Sequence, residues 1–184
     1  NFEENQLEIG TLITTDADND ELTYRFLGDS FSISSAGLVT SNINPDCETT
    51  DDDGDSSHWL NDRKGRFEVF DGENYVTKEV SFRVTCINDN APIIESSLYA
   101  VRENQSEITP VVSVKDIDAF RSFFDIDEIV LSITGSEVSI DSSGILTLNE
   151  VADYETQTQY SATVTATDGT FSTSEDIEIS VSNE

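Results

Sequence analysis

The 184-residue chain contains no methionine and only nine lysines and arginines, against 38 aspartates and glutamates. Its formal net charge is −29. A chain this acidic repels phosphate groups, which argues against nucleic acid and anionic membrane surfaces as partners. Two explanations of the acidity stay open. It is a solubility adaptation, as in a salty habitat, or the carboxylates hold cations and repel one another until those cations bind.

Long apolar runs and a secretory signal pattern are also missing. No stretch offers the roughly 20 apolar residues that a membrane helix needs, so we expect no direct membrane insertion. The missing signal pattern leads us to expect a piece of a longer mature protein. Histidine and tryptophan occur once each, as His58 and Trp59.

The hydrophobic pattern is that of β-strands. Apolar and polar residues alternate over 160–167 and 177–181, and such alternation of β-branched residues predicts half-buried strands. Further strands are predicted over 80–84 and 93–101, and no stretch has a helical stripe. Short strands with glycine and aspartate turns, in a unit of about 90 residues, predict an all-β fold with sandwiches of about seven strands.

The two halves of the chain repeat each other. Each contains, in the same order, Glu-Asn, Asp-x-Asp, a strand–glycine–strand segment, Asp-x-Glu-Thr, Asp-Gly and a final strand. These lie at 4–5, 16–18, 31–40, 46–49, 71–72 and 80–84, and again at 103–104, 116–118, 138–147, 153–156, 168–169 and 177–181. We therefore predict two domains, 1–89 and 90–184, the first with an insertion at 51–60.

The segment between the halves, 86–92, is rich in oxygen ligands. Asn88, Asp89 and Asn90 offer a carboxylate, two amide oxygens and backbone carbonyls. Calcium takes about six to eight oxygen ligands, so distant carboxylates must also converge, since no local loop here supplies enough. Pro92 fixes its own φ and favours an extended Ala91. The segment is interpreted as a stiff joint that contains metal.

These motifs, in this order, resemble the cadherin repeat over nearly the whole chain, as two tandem copies. The sequences Asp-Tyr-Glu-Thr and Thr-Ala-Thr-Asp-Gly are more similar to bacterial cadherin-like repeats than to vertebrate adhesion cadherins. The resemblance implies two tandem Greek-key β-sandwiches with calcium at the joint. The ligands that it implies are Glu4, Asp46, Glu48, Asn88, Asp89, Asn90 (through its carbonyl), Asp116, Asp118 and Asp168.

One position departs from the family pattern. Cys86 stands where the linker of the family begins with aspartate, which removes one carboxylate, so we expect about two or three calcium ions. The resemblance also implies two outer half-sites that face neighbouring repeats, which we expect to be empty or weakly filled. They consist of Asp16, Asp18 and Asp71 in the first half and Glu103, Asp153 and Glu155 in the second.

The resemblance places Cys47 and Cys86 at the same end of the first repeat. We predict a disulfide between them, which implies an oxidising compartment. The alternative is two buried free thiols. A metal-binding pair is disfavoured because no other soft ligand accompanies it.

The remaining candidates lie in the parts where the halves differ. Asp51, Asp53 and Asp55 form either a solvated acidic loop or a further calcium site, and their spacing does not match the twelve-residue calcium loop. Trp59 either packs on the sandwich or contacts a ligand. At least two of three phenylalanines in the second half are expected to be packed: Phe120, Phe123 and Phe124.

The predicted function is a calcium-binding tandem cadherin-like module of a larger extracellular or cell-surface protein. Calcium would rigidify the joint, and the module would serve adhesion or extension. Its expected partners are other repeats of the same chain and a cell-surface protein or polysaccharide. The alternative is a carbohydrate-binding module of a secreted or surface bacterial protein, with Trp59 as the contact. We expect no enzyme, because the carboxylates are assigned to the joint and a small sandwich offers little cleft.

Overall fold

The computed structural model describes residues 1–48, 63–118 and 128–183, and within these ranges the chain forms β-strands and no α-helix. The all-β fold class is confirmed. The chain divides into two compact units, Asn1–Ile87 and Asn88–Glu184, a division two residues before the predicted boundary. The hypotheses on Asp51, Asp53, Asp55, Trp59 and the three phenylalanines lie outside the described residues.

The first unit contains three sheets in the described ranges. Its strands are β1 (Phe2–Glu3), β2 (Glu8–Thr11), β3 (Thr23–Leu27), β4 (Phe31–Ile33), β5 (Leu38–Ser41), β6 (Arg63–Phe70), β7 (Tyr75–Phe82) and β8 (Val84–Thr85). The strand orders are β2-β5-β4, β3-β6-β7 and β1-β8. The β1–β8 pair is parallel, and the neighbours in the two larger sheets are antiparallel.

Phenylalanines form much of the first core. The ring centroid of Phe26 lies 5.4 Å from that of Phe31 and 5.2 Å from that of Phe67, both in edge-to-face geometry. Phe31 also lies 4.1 Å from Phe82. Because Phe31 belongs to the β2-β5-β4 sheet and the other three to the β3-β6-β7 sheet, these rings join the two layers of the sandwich.

The second unit likewise contains three sheets in the part that the structure describes. Its strands are β9 (Ile93–Glu95), β10 (Tyr99–Arg102), β11 (Glu107–Ile108), β12 (Ser113–Lys115), β13 (Val130–Thr134), β14 (Val138–Ile140), β15 (Leu146–Leu148), β16 (Gln159–Thr167) and β17 (Ser172–Ser182). The strand orders are β10-β17-β16-β13, β11-β15-β14 and β12-β9. The β10–β17 pair is parallel, and the other pairs are antiparallel.

The predicted strands over 160–167 and 177–181 are confirmed as parts of β16 and β17. Every second residue over 162–166 and 177–181 is buried, because successive side chains of a strand point to opposite faces. The buried residues are Ala162, Val164, Ala166, Ile177, Ile179 and Val181. They pack in one cluster with Ile108, Leu146 and Leu148 from the β11-β15-β14 sheet, which closes the second sandwich.

The strand–glycine–strand repeats also fold as predicted, into the β4–β5 and β14–β15 hairpins. Gly37 has φ 80° and Gly144 has φ 82°, a conformation that other residues adopt only at a cost. The two glycines occupy the same place in their hairpins, so the sequence repeat is a structural repeat here.

Two predicted strands are wrong in extent, because the chain changes its partner within each of them. In the segment 93–101, β9 pairs antiparallel with β12, whereas β10 pairs parallel with β17. In the segment 80–84, β7 pairs with β6 and ends at Phe82, and β8 pairs with β1. In 80–84 the alternation of apolar and polar residues continues through the change of partner and therefore does not reveal it. In 93–101 the alternation is interrupted by the polar residues at 95–97, and the buried positions shift from Ile94 to Tyr99 and Val101.

Among the described residues, no helix has the length and apolarity needed to cross a bilayer.

Candidate metal centre

The predicted ligands fall into two groups, one in each unit. The group of the second unit comes from three segments: the residues before β9, the residues after β12 and the turn between β16 and β17. Because β9 and β12 are antiparallel and Ile93 lies opposite Lys115, β9 begins at the same end of the strand pair at which β12 ends. This brings 88–90 close to 116–118.

Three carboxylates of this group are buried. Asp116 is 4% exposed, and Asp118 and Asp168 are each 1% exposed. Aspartate is rarely buried to this degree unless its charge is paired or bound to a metal, because the loss of hydration is costly. Three such side chains in one unit are therefore a strong indication of a functional or ion-binding role.

Hydrogen bonds fix the orientation of these acids. The backbone N–H of Asn90 donates to Oδ2 of Asp118 at 2.9 Å, and Nδ2 of Asn90 donates to Oδ1 of Asp118 at 2.9 Å. The same Nδ2 donates to Oδ1 of Asp89 at 2.6 Å. The N–H of Asp118 donates to Oδ1 of Asp116 at 3.0 Å. Asn90 thus joins two carboxylates through its side-chain amide, a role that the sequence did not indicate.

Asp168 is oriented by the turn in which it lies. Its Oδ1 accepts hydrogen bonds from the N–H of Thr170 at 2.7 Å and of Phe171 at 2.6 Å. Burial acts to raise the pKa of Asp168, but these backbone hydrogen bonds and one from the Asn88 side chain outweigh it, so the pKa lies below its usual range. The side chain is therefore an anion at neutral pH.

The second oxygen of Asp168 has no such donor. Its Oδ2 is buried and accepts no hydrogen bond from any residue that the structure describes. A buried anionic oxygen without a donor is costly, whereas a bound cation would satisfy it. Carboxylate and amide oxygens are calcium ligands, so the residues at this end of the second unit fit a hard divalent cation.

The group of the first unit is organised by Glu4, which is 1% exposed. Its Oε2 accepts a hydrogen bond from the N–H of Cys47 at 2.5 Å, and its Oε1 accepts one from the N–H of Ile87 at 2.6 Å. Oδ1 of Asp46 accepts one from the N–H of Glu48 at 2.9 Å. Backbone amides have no signature in a sequence, so these contacts could not have been predicted.

The structure contains the predicted disulfide between Cys47 and Cys86, with a Cα–Cα distance of 5.7 Å. The two sulfurs are therefore unavailable as metal ligands. Cys47 is completely buried in the first core. The disulfide joins the segment that contains two predicted ligands, Asp46 and Glu48, to the end of the first unit.

The outer half-sites use the same motifs in more exposed surroundings. Asp16 and Asp71 are half-buried, and Asp18 is exposed. Oδ1 of Asp71 accepts hydrogen bonds from the N–H groups of Glu73 and Asn74 at 2.8 and 2.6 Å, as Asp168 does in its own turn. Asp71 is thus a natural counterpart of Asp168 with greater exposure to water.

In the second unit, Glu103, Asp153 and Glu155 bring one carboxylate oxygen each within 4.8 Å of the others. The pKa of Glu155 is raised, because its protonated carboxyl can donate a hydrogen bond to the Glu103 carboxylate and because the negative charge of Glu103 disfavours a second anion. Exposed acidic groups are common without a metal. This half-site is therefore weaker evidence for a metal site than the buried aspartates are.

Comparisons with known proteins agree with this architecture. The sequence matches no protein-family model. It is 34% identical to human cadherin-23 over 105 residues, which cover 55% of this chain and only 3% of that protein. The fold is similar to human protocadherin-24 EC1-2, with a TM-score of 0.71 and 21% identity over 99% of this chain and 91% of that one. The fold is also similar to mouse cadherin-23 EC22-24, with a TM-score of 0.68 and 21% identity over 98% of this chain and 63% of that one.

The chain therefore has the fold of tandem extracellular cadherin domains, and its sequence similarity to cadherin-23 supports cadherin repeats. The expected closer similarity to bacterial repeats is not supported, since the relatives named above are mammalian.

Proposed function

We propose that this chain is a calcium-binding tandem cadherin-like module of a larger extracellular or cell-surface protein. Calcium binds at the joint between the two units and restricts their relative motion, and the module serves adhesion or extension. The observation that carries the proposal is the buried Oδ2 of Asp168, which accepts no hydrogen bond from the described residues, in a unit with two further buried aspartates.

The proposed ligands divide into two groups. Those of the first unit are Glu4, Asp46 and Glu48, and those of the second are Asn88, Asp89, Asn90, Asp116, Asp118 and Asp168. We propose that about two or three calcium ions draw on both groups. Calcium would supply positive charge among carboxylates that otherwise repel one another, and the residues of the chain orient those carboxylates in advance.

The first test is thermal unfolding in chelator and in millimolar calcium, with magnesium as the control. A ligand that binds only the folded state raises stability by mass action. We expect a large calcium-specific rise in the unfolding midpoint. Equal midpoints in chelator and calcium would contradict the proposal and leave the charge of −29 as a solubility feature.

A pair of matched variants tests which aspartate is responsible for the calcium-induced rise in the unfolding midpoint. Asp168→Asn and Asp71→Asn make the same change in equivalent turns, each at an oxygen that accepts two backbone N–H groups. We expect Asp168→Asn to lose most of the calcium-induced stabilisation and Asp71→Asn to keep it. A similar loss in both variants would indicate that the turns, and not a buried site, determine the response.

The effect on the joint needs a measurement of its own. Labels at Lys78 and Glu175, both exposed and one in each unit, report the distance between the units. We expect a broad distance distribution in chelator and a narrow one in calcium. Equilibrium dialysis gives the number of ions. If calcium binds but the distance distribution does not become narrower, the calcium site is supported and its proposed role in restricting the motion of the units is rejected.

The resemblance to extracellular cadherin domains supports adhesion or extension as the role of the module. The proposed partners are other repeats of the same chain and a cell-surface protein. The carbohydrate-binding alternative depended on Trp59, which lies outside the described residues, and the comparisons do not favour it.

A further inference from the structure

Glu4 and the Cys47–Cys86 disulfide connect the same two segments of the first unit, 45–47 and 85–87. One oxygen of the Glu4 carboxylate accepts a hydrogen bond from the N–H of Cys47, and the other accepts one from the N–H of Ile87, which follows Cys86. The disulfide connects these segments covalently across a sequence separation of 39.

The main chain around Glu4 contacts both segments as well. The N–H of Glu4 donates to the carbonyl of Thr85 at 3.1 Å, and the N–H of Asn5 donates to the carbonyl of Pro45 at 2.8 Å. Glu4 therefore lies between the two segments. The distance between the amides that hold its carboxylate depends on how closely the disulfide keeps those segments together.

This distance matters for the chemistry of the carboxylate. Glu4 is 1% exposed, and a buried carboxylate stays ionised only if hydrogen bonds or positive charge replace its lost hydration. Each carboxylate oxygen has two lone pairs, so an oxygen that accepts one N–H can still bind a cation. The two amides thus fix the orientation of the Glu4 carboxylate.

We propose that the Cys47–Cys86 disulfide is a redox-sensitive positioning element for Glu4, and that its reduction weakens calcium binding at the first-unit group. This inference rests on the proposed function. A dithiol reductant supplies two electrons and two protons. The sulfur–sulfur bond breaks, each cysteine becomes a thiol, and the reductant forms its own disulfide. The segments 45–47 and 85–87 then remain together only through noncovalent contacts, and Glu4 loses its fixed position.

The second unit provides an internal control for this arrangement. The N–H of Glu103 donates to the carbonyl of Ser182 at 3.0 Å, and the N–H of Asn104 donates to the carbonyl of Ala152 at 2.9 Å. This repeats the main-chain frame of Glu4 and Asn5 without a disulfide. Glu103→Gln is therefore a matched control for Glu4→Gln.

The first experiment measures how fast dithiothreitol reduces the disulfide of the folded protein in chelator, followed by maleimide labelling. If Glu4 and the disulfide hold the same two segments together, weakening the Glu4 hydrogen bonds loosens those segments and gives the attacking thiolate easier access to the sulfurs. We expect Glu4→Gln to be reduced about tenfold faster than the unmodified protein and Glu103→Gln at the unmodified rate. Phe67→Leu, a core change that leaves Glu4 intact, separates local loosening from a general loss of stability. The proposal would be overturned if Glu4→Gln were reduced at the same rate as the unmodified protein. It would also be overturned if Phe67→Leu, under conditions where its free energy of unfolding equals that of Glu4→Gln, were reduced as fast as Glu4→Gln.

The second experiment compares calcium affinity before and after reduction, with the thiols blocked, and in the Cys47→Ala/Cys86→Ala variant. We expect the calcium affinity to be about tenfold weaker in the reduced, blocked protein and in the double variant than in the oxidised protein. Unchanged affinity would overturn the redox proposal and leave the proposed calcium function intact. No calcium binding in any form would reject the calcium function, whereas the reduction rates in chelator would still show whether Glu4 and the disulfide are coupled. If the double variant does not fold, the reduction rates of the folded oxidised proteins decide.

Discussion

Asn90 binds the carboxylate of Asp118 with both of its nitrogen atoms: the backbone N–H donates to Oδ2 and Nδ2 donates to Oδ1, each at 2.9 Å. Asp118 is 1% exposed, so these two bonds replace much of its lost hydration. Because Nδ2 also donates to Asp89, the amide of a single side chain separates two carboxylates.

Asn90→Asp replaces this amide with a third carboxylate of nearly the same shape. In chelator we expect a loss of about 2 kcal/mol in the free energy of unfolding, because two charged hydrogen bonds give way to repulsion. In calcium the loss should shrink, since a cation can bind the added carboxylate. Chemical denaturation in both buffers measures the difference.

Asn149→Asp is the control for this substitution. Nδ2 of Asn149 donates to the carbonyl of Ser136 at 2.8 Å in an exposed position of the same unit. We expect a smaller effect that does not depend on calcium. If the penalty of Asn90→Asp is the same in both buffers, its carboxylate is not at an ion site.

Gly144→Ala should be strongly destabilising. Gly144 has φ 82°, and an added Cβ would lie 2.4 Å from the carbonyl oxygen of Val112. The carbonyl of Gly144 accepts a hydrogen bond from the N–H of Val112 at 2.8 Å, so the two segments cannot move apart without breaking it. Backbone strain and this clash together predict a loss of about 3 kcal/mol or more in the free energy of unfolding, measured by thermal denaturation.

Gly72→Ala separates the two causes. Gly72 has φ 103°, but an added Cβ would meet no atom within 4 Å. Only the conformational cost then applies, and we expect a loss of about 1 kcal/mol. Equal losses at Gly72 and Gly144 would show that the contact with Val112 relaxes without cost.

The pKa of Glu79 should depend on Arg66. The two residues lie opposite each other on β6 and β7, and Nη2 of Arg66 donates to Oε1 of Glu79 at 2.8 Å. This hydrogen bond and the charge of Arg66 lower the pKa of Glu79 below its ordinary value. In Arg66→Gln, we expect the carboxyl resonance of Glu79 to titrate at a higher pH in an NMR experiment.

The sign of the effect on stability follows from the lowered pKa. Glu79 stabilises the folded state at pH values above its unfolded pKa, and this contribution is lost as the pH falls through the folded pKa. Both side chains are exposed, so we expect a small change. An unshifted titration in Arg66→Gln would mean that the ion pair does not persist in solution.

Local patterns predicted a large part of the fold. The alternation in β16 and β17 and the glycine turns of Gly37 and Gly144 depend on neighbouring residues, so they can be read from the sequence. The change of strand partner at Arg83 could not be predicted, because the alternation of apolar and polar residues continues while the hydrogen-bonded neighbour changes. The change between β9 and β10 does have a sequence signal, the polar residues at 95–97, which the prediction of a single strand overlooked.

For the candidate site, the sequence determined which carboxylates repeat in both halves, since motif order survives in the chain itself. Only the tertiary structure decided which of them are buried: Asp168 is 1% exposed, whereas Asp71, in an equivalent turn, is half-buried. Likewise, only the fold places the amides of Cys47 and Ile87 at the carboxylate of Glu4. Burial and hydrogen bonding depend on segments that are distant in sequence, and the residues around a motif do not specify which segment will cover it.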